Sequence, residues 1–129
     1  MKDRADSLGQ IANYQMGYSY IQIKNKVAAL DAFKEAALVS HDSELTEDAF
    51  YNWAKLAFDL NEDTSVFNDY IKAYPAKEQE QRINAYIAVA ALYDRDYEGA
   101  VNAYDKIDEL DEGMVSNYMK ANYLRANQL

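Results

Sequence analysis

The strongest constraint on how this chain folds is its internal repetition. Between Ala12 and Ala36, in ANYQMGYSYIQIKNKVAALDAFKEA, apolar residues fall at helical spacing in two runs separated by Lys24-Asn25-Lys26. Met16 and Tyr20 share a face of the first run, and Ala29, Phe33 and Ala36 share a face of the second. The layout returns at 49–74, with Trp53-Ala54 in place of Met16-Gly17, Asn61-Glu62-Asp63 as the turn, and Val66 and Tyr70 in place of Ala29 and Phe33. It returns again at 83–107, with Ile87-Ala88, the turn Asp94-Arg95-Asp96, and then Ala100 and Tyr104. The small residue thus recurs after 37 residues, Gly17 to Ala54, and after 34 more at Ala88; a longer loop around Ser40–Glu44 absorbs the difference. A last run, 114–127, matches only the first helix of the pattern, Asn117-Tyr118 and Ala121 echoing Asn13-Tyr14 and Gly17.

Small and large residues alternate for a packing reason. Gly17 and Ala29 let two helices approach closely, and Tyr20 and Phe33 fill the space beside them. The expectation is an all-α chain of seven helices, at about 9–23, 27–40, 45–59, 64–74, 78–92, 97–109 and 113–127. Pro75 stops the fourth, because proline cannot continue the hydrogen-bond ladder. Asp42 and Ser43 cap the third, with Glu44, Glu47 and Asp48 at its positive end. Composition agrees: four glycines and one proline leave little turn chemistry for a barrel or sandwich, and a hydrophobic half argues against disorder.

Here the chain resembles the tetratricopeptide repeat (TPR) family, whose unit of about 34 residues carries Trp-x2-Leu-Gly-x2-Tyr, then Ala-x3-Phe, then Pro. Met16-Gly17-x2-Tyr20 followed by Ala29-x3-Phe33-x2-Ala36 copies that pattern. Asp96-Tyr97-Glu98-Gly99-Ala100-Val101-x2-Tyr104 looks like the family's common opening of a second helix. Phe67 to Pro75 is similar to repeat ends in long bacterial TPR proteins, many of them tied to the cell envelope. The second repeat departs most, with Ala54 for Gly and Ala57 for Tyr. The resemblance implies one domain over 1–129, a right-handed α-solenoid of antiparallel helix hairpins with repeats near 10–43, 47–80 and 81–113 and an extra helix at 113–127. It also implies a protein-binding scaffold rather than an enzyme, with the first helices lining a concave groove for a partner's peptide or helix.

Carried over by register, the family's groove positions form three ladders. They are Ile11, Asp48, Arg82 and Val115; Tyr14, Tyr51, Ala85 and Tyr118; and Tyr18, Lys55, Val89 and Asn122. Phe58 and Tyr93 lie one turn further along their helices. Of the twelve tyrosines, Tyr20, Tyr70, Tyr97 and Tyr104 take framework positions. Tyr14, Tyr18, Tyr51, Tyr93 and Tyr118 take positions the family exposes, and tyrosine suits an interface centre because it offers large area with few rotatable bonds. Lys55 and Arg82 are the candidates for pairing with an acidic group of the partner. Some TPR domains clamp a C-terminal carboxylate with Lys, Asn and Arg; Asn52 and Arg82 coincide with that set, but Tyr14, Tyr18 and Tyr86 fill its other places.

Other chemistries find little footing. A net charge of −9 repels nucleic acid and anionic membranes. The longest apolar run, Ala85–Tyr93, is too short to cross a bilayer, so no membrane insertion is expected. Without cysteine there is no disulfide or thiolate metal site. Asp59-x-Asn61-x-Asp63 begins like a calcium loop but has Thr64 where Gly is needed and Tyr70 where Glu is needed. His41 stands alone in a loop, and no phosphate loop, His-Glu-x-x-His or nucleophile elbow occurs. Neither metal nor cofactor is expected.

Two alternatives to the peptide-binding scaffold stand. Helix 113–127 carries Met114, Val115, Tyr118, Met119, Tyr123 and Leu124 where a terminal solenoid helix is normally polar, and the sequence stops at Leu129 without a cap. That motivates a structural segment of a longer solenoid, or a homo-oligomer through this helix. The tyrosines could also hold a glycan, as in helical carbohydrate-binding proteins with TPR-like units. The partner and compartment stay open: cytoplasm if the chain is whole, cell envelope or periplasm if it is an excised piece.

Overall fold

The computed structural model describes residues 2–127, with side chains from Ser7 onward, and its regular structure is all helical. The seven helices are α1 (Lys2–Gln22), α2 (Lys26–Ala37), α3 (Ser43–Asn61), α4 (Ser65–Ala73), α5 (Lys77–Tyr93), α6 (Tyr97–Asp105) and α7 (Glu112–Ala126), and no strand occurs among the described residues. The end of the chain at Leu129, which motivated the expectation of further repeats, lies outside the described residues.

Boundaries differ most from expectation at α1, at α6 and at α2, which ends at Ala37 instead of near 40, and α4 ends one residue early. α1 starts at Lys2 instead of near residue 9, because Lys, Arg, Ala and Leu extend a helix without an apolar stripe. α4 ends at Ala73, as the residue before Pro75 is held out of the helical region. α6 ends at Asp105 instead of near 109, where the chain tightens through Lys106 N–H to Ala103 O (3.2 Å) and Ile107 N–H to Tyr104 O (3.0 Å). That tightening turns Ile107 into the interior beside Ala88, Ala103 and Tyr104.

The turns at 23–25, 62–64 and 94–96 share one device. Each contains a left-handed residue, Lys24 (φ 62°), Glu62 (φ 54°) or Arg95 (φ 61°), and none of these is glycine. At the first and third turns, reversed bonds close the helix end: Asn25 N–H to Tyr20 O and Asp96 N–H to Ala91 O, both 2.8 Å. The next residue then caps the following helix. Asn25 Oδ1 accepts from Ala28 N–H (3.2 Å), Asp63 Oδ1 from Ser65 N–H (2.9 Å), and Asp96 Oδ1 from Gly99 N–H (3.0 Å). Asp42 caps α3 by accepting from Glu44 and Leu45 N–H, and Asp111 caps α7 by accepting from Met114 N–H.

Packing divides the chain into two compact units, Met1–Ala73 and Tyr74–Leu129, the boundary falling just before Pro75. In the first, α2 packs against α1 and α3, and α3 packs against α4 and touches α1. Gly17 lies directly under the Phe33 ring: a Cβ there would sit 2.7–2.8 Å from three ring carbons. Phe33 is fully buried with Ala29, Ala36, Ala49 and Leu56. In the second unit α6 packs against α5 and α7, burying Ala88, Ala103, Tyr104 and Ile107 on one side and Ala100, Val101 and Ala121 on the other. The positions that the sequence marks as small, Gly17, Ala54, Ala88 and Ala121, are all buried, as are Phe33, Tyr70 and Tyr104, whereas the other two framework tyrosines, Tyr20 and Tyr97, are only half-buried.

One buried polar side chain had no signal in the hydrophobic pattern. Gln10 of α1 is completely enclosed and joins the end of α2 to the start of α3. Its Nε2 faces Ala36 O (3.1 Å), Val39 O (2.7 Å) and Thr46 Oγ1 (2.8 Å), while its Oε1 accepts from Asp42 N–H (3.0 Å). Thr46 Oγ1 in turn donates to Val39 O (2.6 Å), so the 38–42 loop is pinned from both sides.

Two substitutions test this packing by chemical unfolding. Gln10→Ala removes the acceptor of the Asp42 N–H together with a donor to Ala36 O and to Val39 O, and is expected to cost roughly 2–3 kcal/mol. Gln10→Glu is expected to cost more at neutral pH, since it sets a carboxylate against two carbonyls, and to recover partly on acidification; equal losses at pH 5 and pH 8 would contradict the assignment. Gly17→Ala gains about 1 kcal/mol of helix propensity but overpacks Phe33, so a net loss of about 1 kcal/mol is expected.

Candidate functional site

The first helices of the repeat pattern meet in the first unit, where α1 touches α3. Tyr14 and Tyr18 stand one turn apart on α1, as Asp48 and Asn52 do on α3, so both pairs share a helix face. Their side chains converge on a single oxygen. Tyr14 Oη donates to Asp48 Oδ2 at 2.5 Å, Tyr18 Oη donates to it at 2.8 Å, and Asn52 Nδ2 donates to it at 3.2 Å. Asn52 Nδ2 also reaches Asp48 O (2.9 Å) and Tyr18 Oη (3.2 Å). Both rings meet Phe33 edge-on, at 6.0 Å for Tyr14 and 5.1 Å for Tyr18, and they meet each other at 5.1 Å.

Electrostatics follow from that geometry. Burial, and then the Asp48 carboxylate, push the Tyr14 phenol far above its ordinary value near 10. Burial and the same carboxylate also raise Tyr18. An ionised phenolate beside Asp48 would oppose an existing negative charge, so both hydroxyls are held as donors. Tyr14 is half-buried and its hydroxyl is consumed internally, whereas the Tyr18 residue remains 40% exposed.

The other expected contact residues of this unit lie along α3. Tyr51 packs its ring on Tyr70 (5.5 Å), and Lys55 Nζ sits 5.5 Å from the Tyr51 ring centre, within cation–π range. Phe58 packs on Phe67 of α4 at 5.8 Å. Tyr51 and Lys55 therefore adjoin one another on α3, with Tyr51 and Phe58 also serving the α3–α4 contact, while Tyr18 meets α3 at Asp48 and Asn52.

The second unit treats its expected residues differently. Tyr118 Oη donates to Asp105 Oδ1 (2.6 Å) and its ring packs on Tyr104 (6.3 Å), so this tyrosine is spent on the α6–α7 contact. Asn122 Oδ1 accepts from Arg125 on its own helix (3.2 Å), and Arg82 is exposed on α5. Val89 and Tyr93, 48% and 89% exposed, line an open cleft of about 390 Å³ with Leu92, Leu124 and Lys120. Tyr118, Asn122 and Arg82 do not line it.

The remaining acidic and imidazole groups have local roles. His41 lies exposed in the loop before α3, Asp63 caps α4, and Asp59 Oδ2 stands 3.7 Å from Lys26 Nζ. Among the described residues no group of three His, Cys, Asp or Glu is placed to hold a metal ion. No described helix is long and apolar enough to cross a membrane.

Sequence reading missed the convergence on Asp48, although a signal was present. Tyr14 and Asp48, like Tyr18 and Asn52, are 34 residues apart, three short of the 37 that separate Gly17 from Ala54. Each tyrosine therefore meets the α3 residue one turn before its own counterpart in the repeat pattern, Tyr51 or Lys55, and a Tyr–Asp and a Tyr–Asn pair at that offset is the signal for the cross-helix hydrogen-bond set. No family model, curated protein or solved structure matches this chain.

The phenol–carboxylate cluster is testable by following tyrosine ionisation at 295 nm. A raised phenol pKa contributes stability that is complete below about pH 10 and is lost as pH rises above it. Asp48→Ala is therefore expected to ionise more of its tyrosines by pH 11 than the wild type, and to lose less stability between pH 9 and pH 11. Superimposable titration curves would show that Asp48 does not hold the two phenols.

Proposed function

We propose that this chain is a TPR-like interaction scaffold and that the α1–α3 face of its first unit receives a peptide or helix of a partner protein. In this reading the helix pairs stack as antiparallel hairpins of a right-handed solenoid, with α1 and α3 as successive first helices. The observation that carries it is the cluster on Asp48. Three donors from two helices lock Tyr14 and Tyr18 in place, which preorganises a surface that also offers the Tyr51 ring and Lys55. A partner that docks there meets aromatic area already held in one conformation, so little side-chain entropy is lost on binding. Lys55 supplies a cation for a carboxylate of the partner.

Self-association is the second reading, and one observation favours it. α7 exposes Val115 (41%), Met119 (66%) and Tyr123 (70%), an apolar row that a second copy could cover.

The first reading is tested by selecting peptides from a displayed library against the whole protein and measuring the selected sequence by calorimetry. Tyr18→Ala and Lys55→Ala are each expected to weaken binding about tenfold or more, as truncation of an interface anchor does. Wild-type affinity in both variants, with unchanged circular dichroism, would place the partner elsewhere. Light scattering across a concentration series separates the second reading: dimerisation abolished by Met119→Glu would favour it.

A further inference from the structure

The second unit carries an apolar cleft whose charge is opposite to that of the protein around it. All 22 acidic residues of the chain lie at or before Glu112, so α7 beyond its first residue has none and carries Lys120 and Arg125 instead. The cleft between α5 and α7 combines the apolar Val89, Leu92, Tyr93 and Leu124 with two cations, Lys120 and Arg95, and no carboxylate lines it. At about 390 Å³ it lies at the small end of ligand-site volumes, a size suited to a few anchoring side chains. Lys120 is exposed and makes no ion pair or hydrogen bond among the described residues.

We infer that this cleft is a second docking site, for an acidic peptide segment that inserts apolar side chains between α5 and α7 and sets its carboxylates against Lys120. Charge complementarity selects this occupant. A basic segment would bring like charge to Lys120 and Arg95 as it desolvates them, whereas an acidic one gains at that position. The long-range field works the other way: a net charge of −9 slows the approach of acidic ligands, so the preference resides in contacts inside the cleft and not in steering. The inference goes beyond the α1–α3 reading and does not depend on it, because every lining residue belongs to the second unit.

The test uses the full chain and three fluorescein-labelled twelve-residue peptides. One carries Trp and Leu four positions apart among glutamates, one replaces the glutamates with lysines, and one replaces Trp and Leu with serines. Fluorescence anisotropy is expected to show saturable binding of the first, with the other two at least tenfold weaker. Lys120→Glu is expected to weaken the first peptide tenfold or more and to narrow its advantage over the lysine peptide. Leu124→Ser is expected to weaken it as well, while Tyr18→Ala leaves it unchanged. Amide shifts in heteronuclear NMR should map to 89–93 and 117–124. The inference is overturned if the acidic and lysine peptides bind alike, if neither binds, or if Lys120→Glu has no effect. Loss of binding in Tyr18→Ala with shifts on α1 and α3 would overturn it too, while leaving the α1–α3 reading standing. Concentration-dependent broadening of α7 signals without peptide, relieved by Lys120→Glu, would assign the cleft to a second copy and equally overturn it.

Discussion

Phe33 seated over Gly17 sets the distance between α1 and α2, and much of the first unit follows from that approach. A single amphipathic helix cannot cover its own apolar stripe, so each must be covered by a neighbour, and how near the neighbour comes depends on the smallest residue at the crossing. With hydrogen alone at position 17, the Phe33 ring reaches the α1 backbone and closes the core formed with Ala29, Ala36, Ala49 and Leu56. The same ring supports Tyr14 and Tyr18 edge-on. The surface that presents the phenol–carboxylate cluster is thus the outer layer of a core contact, which is why the cluster can hold a defined shape.

Polar groups then specify what hydrophobic packing leaves loose. Gln10 ties α1 to the end of α2 and the start of α3 through four hydrogen-bonding partners, and Asp48 ties α1 to α3 through three donors on one oxygen. A buried polar set such as that of Gln10 is costly when incomplete, so it favours one register over its neighbours. The two differ in consequence. Gln10 is enclosed and serves the fold alone, whereas the Asp48 cluster reaches the surface through Tyr18 and so can serve a partner as well.

Charge is distributed as unevenly as polarity. Asp42, Asp63, Asp96 and Asp111 each sit at a helix start and accept from its free N–H groups, so part of the acidic excess is consumed by the architecture. α7, free of acids past its first residue, stands out against that background, and it borders a cleft with exposed Val89 and Tyr93. One chain of helices thereby presents two faces of different chemistry. One is an aromatic face organised around a carboxylate, and the other an apolar cleft edged by cations.

The sequence by itself determined the helical class, the number and order of helices, and the residues at their crossings. Those depend on local quantities: the 3.6-residue period, the punctuation by Pro75 and the Asp42 cap, and the alternation of small and large side chains at Gly17/Phe33, Ala54/Tyr70 and Ala88/Tyr104. The left-handed residues of the turns, Lys24, Glu62 and Arg95, were not legible, because no glycine advertises them and tertiary packing offsets their strain. What only the tertiary structure decided is how each tyrosine is spent. Tyr14 and Tyr118 occupy the same rung of the repeat, yet one donates to a carboxylate of the following first helix and the other to Asp105 of the helix before it. Periodicity assigns a side chain to a face, but its hydroxyl goes to whichever carboxylate stands within about 3 Å, and that depends on how neighbouring helices cross. The lining of the α5–α7 cleft was hidden for the same reason, since Val89 and Lys120 become neighbours only when two helices pack on a third.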